Sequence, residues 1–141
     1  MQAGAAWCWG GSGQLGAGSI TTDQTTPVAV QGLGMGVTAI TAGMEHTCAV
    51  QAGAALCWGN NGNGRLGDGT TTDHNTPVAV QGLGTGVTAI AASVSHTCAV
   101  QAGAALCWGD NGTGQLGDGT TNESHVPLPV PGLGTGVTAI T

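Results

Sequence analysis

Positive charge is almost absent from this chain: one Lys or Arg (Arg65) stands against seven Asp and Glu in 141 residues, for a formal charge of -6. A surface with a single cation cannot neutralise a row of phosphates, which excludes DNA or RNA binding. Phe and Tyr are missing altogether. The longest apolar stretches are five or six residues, far short of a membrane span. Charge of either sign is scarce, at 6% of residues, yet Val, Ile, Leu and Trp recur regularly, which is a poor fit to a disordered chain. What is plentiful is glycine, 28 residues against a background of about 7%.

The chain repeats itself. QAGAALCWG occurs at 51–59 and 101–109, with QAGAAWCWG at 2–10. TPVAVQGLG occurs at 26–34 and 76–84, and VPLPVPGLG at 126–134. GVTAI starts at Gly36, Gly86 and Gly136, and HTCAV at His46 and His96. The period is 50 residues, except that the first copy is two residues shorter between Trp9 and Leu15 and one longer between Leu15 and Pro27. An indel confined to one loop is how loops vary on a fixed scaffold. A period near 50 is too long for a solenoid coil and fits one four-stranded propeller blade.

Local pattern agrees. Val37–Ile40, Thr47–Val50, Ala55–Trp58 and Pro77–Val80 are short apolar runs separated by turn-forming residues, and none sustains a helical stripe. Named a, b, c and d in that order, they give an all-β chain of antiparallel blades. The predicted units are a partial blade over 1–36 (strands c and d), blades over 37–86 and 87–136, and the first strand of a further blade over 137–141. That makes eleven strands. Three blades cannot close a ring. The expectation is therefore either a segment of a longer repeat protein, with no leader visible, or an assembly in which another chain fills the gap. The glycines cluster in the c–d links at 59–76 and 109–125, where recurring Leu66 and Leu116 argue for built turns rather than a floppy linker.

A two-residue turn at Ala52-Gly53 would place Cys48 opposite Cys57, as a non-hydrogen-bonded pair with Cα atoms about 4.5 Å apart, within disulfide reach. Cys98 and Cys107 repeat the relation. Disulfides are the favoured reading and two buried free thiols per hairpin the alternative; zinc lacks its CxxC pair. Cross-strand disulfides imply an extracellular or cell-surface location. Cys8 is left over, free or open to an intermolecular bond.

CWGNNGNGRLGDGTT at 57–71, TPVAVQGLG, VTAITA and HTCAV, taken together, resemble the repeat of the regulator-of-chromosome-condensation family over essentially the whole chain. The Cys-bearing form resembles repeats of secreted bacterial members. The resemblance implies a β-propeller, typically seven-bladed, with four antiparallel strands per blade. It does not imply one activity: the member that names the family is a nucleotide-exchange factor on chromatin, and a secreted bacterial relative is a protein inhibitor of β-lactamase. With no basic surface and no inserted partner-binding segment, this chain takes from the family its fold and not the exchange activity.

Catalytic candidates are thin. His46 and His96 recur beside unlike neighbours, Glu45 and Ser95, and a repeated His at one blade position reads as structural. His74 and His125 stand at non-equivalent loop positions. Asp68, Asp118, Asp73 and Asp110 lack calcium-loop spacing and suit turn stabilisation. No cofactor or metal is implied. Trp9, Trp58 and Trp108 follow Cys at the end of strand c, where packing between blades is expected, and Trp7 replaces the Leu of the other copies. Asn111 and Asn122 match the N-glycosylation pattern, a weak signal in so Thr-rich a chain. The reading is a non-enzymatic extracellular repeat scaffold, structural or self-assembling and able to run on into a filament. Its partners would be copies of itself or further blades. The alternative is a protein-binding or inhibitor-type propeller module.

Overall fold

A computed structural model describes residues 1–141. The strands are β1 (Trp7–Gly10), β2 (Gln24–Ala29), β3 (Val37–Ala42), β4 (His46–Gln51), β5 (Ala54–Gly59), β6 (His74–Ala79), β7 (Val87–Ala92), β8 (His96–Gln101), β9 (Ala104–Gly109) and β10 (Ser124–Pro129). They form antiparallel sheets in the orders β3-β4-β5-β6 and β7-β8-β9-β10, with β1-β2 as a two-stranded piece. The chain is thus an incomplete β-propeller of about three blades. No helix is long and apolar enough to cross a membrane.

Turn chemistry sets the register. Ala52 and Gly53 have φ of 49° and 81°, the left-handed pair that a two-residue hairpin turn requires. Pairing then runs from Gln51 opposite Ala54 to His46 opposite Gly59, with Cys48 opposite Cys57. Ala102-Gly103 repeats it, and Cys98 faces Cys107. The prolines Pro77, Pro127 and Pro129 fall on the outermost strands β6 and β10, where a missing N–H spoils no ladder.

Ten strands form rather than eleven. Val137 donates its N–H to the Gly103 carbonyl, but residues 138–141 pair with no strand and so make no ladder.

The cores lie between blades, not within them. Leu66, Val80 and Leu83 of one blade pack with Val87, Ile90, Ala99 and Trp108 of the next. Ala6, Val30 and Leu33 pack likewise with Val37, Ala49 and Trp58. Backbone stitches follow the same joints: Val37 N–H to the Gly4 carbonyl and Val87 N–H to the Gly53 carbonyl, both 2.9 Å. A single four-stranded sheet this thin in large apolar residues has no interior of its own, so each blade depends on its neighbour.

Candidate functional site

Two joints are fully built, and both centre on one backbone carbonyl. The Trp108 indole N–H donates to the Arg65 carbonyl at 2.9 Å, and the Thr97 hydroxyl donates to the same oxygen at 2.8 Å. In the first joint, Trp58 and Thr47 donate to the Gln14 carbonyl at 2.8 and 3.0 Å. The indoles press against glycine: a Cβ on Gly67 would sit 2.6 Å from Trp108 Nε1, and one on Gly16 would sit 2.7 Å from Trp58 Nε1. Only glycine permits that approach. Both tryptophans are wholly buried.

His46 extends the second joint. Its Nε2 lies 2.8 Å from Thr97 Oγ1, whose proton is already committed to the Arg65 carbonyl. The imidazole is therefore the donor, Nε2 carries the proton, and the buried Nδ1 has no partner. Burial, together with the positive fields of Arg65 and His96, pushes the His46 pKa down to about 4. Burial also lowers His96, though Asp110 opposes it. The unfolded chain takes up the His46 proton near pH 6.5, before the folded chain can. Stability present above pH 6.5 is therefore lost as pH falls toward 4, by on the order of 3 kcal/mol for His46. Urea unfolding at pH 7 and pH 4.5 should show that loss, and His46→Gln should remove most of the difference.

The c–d links are organised by buried Asn61 and Asn111. Asn61 Nδ2 donates to Asp68 Oδ1, the Thr70 carbonyl and Thr70 Oγ1, while its Oδ1 accepts the Leu66 N–H. Asn111 does the same with Asp118, Thr120 and Leu116. Burial works to raise Asp68, but the Thr70 amide and hydroxyl and the Asn61 carboxamide outweigh it and hold the carboxyl below its ordinary range. Asp118 is held low first by the Thr120 amide. The shorter first link has Ala17 in place of Asp68 and no counterpart of Asn61; a 3-10 turn at Ser12–Gln14 stands there instead.

Among the residues singled out by sequence, Cys48–Cys57 and Cys98–Cys107 are disulfide-bonded with Cα atoms 4.1 Å apart. Cys8 is free and half-buried, and burial pushes its thiol pKa up. Trp7, Cys8 and Trp9 line an apolar groove of about 270 Å³ with Ile40, Thr41 and Ala42. The suggestion of a sugar at Asn111 does not fit the folded chain: the side chain is fully buried and its Nδ2 faces Asp118, Thr120 and the Asn122 carbonyl. Asn122 itself is exposed. His74 pairs with Asp68 at 3.2 Å and His125 with Glu123 at 3.1 Å. No three His, Cys, Asp or Glu side chains converge on a metal-sized site.

The joints differ in one respect. The first opens into a polar cleft of about 540 Å³, lined by Gln14, Glu45, Asn60, Asp73, His74 and Asn75. In the second, the longer link reaches across: Asn63 Nδ2 donates to Glu123 Oε2 at 3.3 Å, and the His125 ring packs against Gly64 so closely that a Cβ there would collide with it.

No curated protein matches this sequence. Among solved structures the chain is similar to human WBSCR16 (24% identity, TM-score 0.75), covering 93% of this chain and 34% of that one. It is also similar to yeast RCC1 (Prp20) bound to Kap60 (21% identity, TM-score 0.74), covering 89% of this chain and 32% of that one. A third match is Prp20p from Saccharomyces cerevisiae, a structure described with that protein's binding to Gsp1p and histones (20% identity, TM-score 0.74, covering 89% and 33%). The chain thus spans about a third of the length of these structures. The family model for the regulator of chromosome condensation (RCC1) repeat matches residues 3–50, 52–100 and 102–141. The second match runs from β5 through β8, two strands from each side of a joint, so the sequence unit and the structural joint coincide. With three consecutive matches that leave almost no residue outside, the chain belongs to the RCC1 repeat family.

Proposed function

We propose that the chain is a non-enzymatic, extracellular propeller scaffold that works by protein contact, with the interblade joint as its assembly chemistry. One observation carries this. Side chains that are buried inside each joint have exposed counterparts in the same chain: Trp9 is 63% exposed where Trp58 and Trp108 are 0%, and Leu133 is 47% exposed where Leu33 and Leu83 are 1%. At Gly117 the indole slot is open, with only Val130 Cγ1 near a Cβ position, at 3.3 Å. Faces of this kind take up further blades, of a second copy or of a longer chain, and head-to-tail contacts between copies run on into filaments. The disulfides support an oxidising compartment. The non-catalytic reading is supported by His46, fully buried with its one free nitrogen facing no nucleophile.

Sedimentation velocity at rising concentration tests this. The parent should form larger species, whereas Trp9→Ala and Gly117→Ala each remain monomeric. Mixing the two variants should restore a dimer, because each keeps the face that the other lost. A parent that stays monomeric to about millimolar concentration overturns the assembly reading. A second reading, a discrete binding module, is favoured by the inequality of the two joints.

A further inference from the structure

We infer that the cleft of the first joint is a binding site for an arginine side chain of a partner protein. The inference rests on the binding-module reading, and its basis is a comparison of the two joints within the one chain.

In the second joint two cationic or protonatable side chains of the chain itself take up the space. Arg65 is buried, donating from Nη1 to the Val94 carbonyl at 3.2 Å and from Nη2 to Asn63 Oδ1 at 3.0 Å. His125 closes over Gly64 and meets Glu123 Oε1 at 3.1 Å. At the equivalent positions of the first joint both are replaced by shorter carboxamides, Gln14 for Arg65 and Asn75 for His125. Gln14 still reaches for the matching acceptor, the Met44 carbonyl, but only at 3.5 Å. Nothing stands within 4 Å of a Cβ built on Gly13, the counterpart of Gly64.

The acidic partners have not been removed with the cations. Asp73 stands where Glu123 does, and Glu45 replaces the neutral Ser95. Asp73 Oδ1 accepts the Asn61 N–H at 2.8 Å, and no donor meets its other oxygen. Glu45 is 59% exposed and forms an ion pair with Arg65 at 3.6 Å, which leaves its other oxygen without a donor. His74 faces the cleft but is engaged with Asp68. The result is a cavity lined by two carboxylates, three carboxamides and the His74 imidazole, with no hydrophobic residue and no Lys or Arg in its wall. A guanidinium, planar, permanently charged and rich in N–H groups, matches that set of acceptors; an ammonium fills less of it. The chain's charge of -6 draws such a partner in.

The test is an amide NMR titration of the oxidised, full chain with N-acetyl-arginine amide, using the isosteric neutral N-acetyl-citrulline amide as control. Arginine amide should shift Glu45, Asp73 and Asn75 with millimolar affinity and leave Ser95, Asp110 and Glu123 in place, while citrulline amide shifts none of them. Glu45→Gln, at an exposed position, should weaken the affinity about fivefold. Asn75→His, which copies the closure by His125, should abolish it; a well-dispersed spectrum shows that each variant is folded. Equal shifts with citrulline, equal shifts at the second joint, no shift at about 50 mM arginine amide, or unchanged binding by Asn75→His would each overturn the site. A chain that fails this titration but still captures a basic protein through another face loses the cleft and keeps the binding-module reading.

Discussion

Replacing Trp108 by alanine is expected to remove about 3–5 kcal/mol of stability. The side chain is wholly buried, belongs to the larger core with Leu66, Val80 and Ile90, and satisfies the Arg65 carbonyl. Truncation empties the space above Gly67 and leaves that carbonyl to Thr97 alone. Against a total stability of about 5–15 kcal/mol, such a loss takes the chain to the edge of unfolding. Trp9→Ala is the matched control, since Trp9 is exposed and its removal from a monomer should change stability by less than about 0.5 kcal/mol. Trp108→Phe should fall between them, recovering most of the volume but not the hydrogen bond. Urea titrations of the three variants decide the matter. A loss under about 1 kcal/mol for Trp108→Ala would mean that the joint is not what holds the blades together.

Removing both disulfides should have an effect of similar size. Each joins cysteines nine apart in sequence, so the loop closed is short, and the chain-entropy estimate is about 2–3 kcal/mol per bond. Cys48, Cys57 and Cys107 are buried within the sheets and Cys98 is half-buried, so a Cys→Ala pair also leaves a small void. The quadruple alanine variant should melt about 15 °C below the parent. Titration of native chain with a thiol reagent should find one reactive site, Cys8, and five after unfolding under reduction. A melting point that moves by less than about 2 °C would show that the hairpin turns alone fix the register.

These effects follow from parts of the fold that were legible in the sequence to different degrees. The 50-residue period, the strand order and the facing of Cys48 with Cys57 came from repetition and from one turn, because a two-residue hairpin leaves no freedom of register. The inward placing of Trp58 and Trp108 was also legible, whereas Trp9, expected to pack in the same way, is 63% exposed. The acceptor of the two buried indoles was not legible: a carbonyl belongs to every residue, and nothing in Gln14 or Arg65 as letters marks it. Asn61 and Asn111 were hidden for a related reason, one buried asparagine among several in an Asn- and Gly-rich loop, and Asn111 was instead noticed for a sequon that its burial defeats. The shortened first link was visible as an indel. That Asn75 stands where His125 does follows from the 50-residue offset, but which face the shortened link would open required the two joints side by side. Residues 137–141 carry the letters of a strand, but a strand is a relation between two segments, and beyond the Val137 N–H they pair with none.

The carbonyl at the centre of each joint has a consequence for how such an array changes over generations. An acceptor made by the main chain cannot be lost by substitution, so the residue that presents it is released from selection for the contact itself. Gln14, Arg65 and Gln115 already differ in charge at this position. A whole 50-residue module can therefore be duplicated, deleted or exchanged without matching a neighbour's side chain at that point, and its loop can drift toward a new surface chemistry while the seam beneath it stays intact.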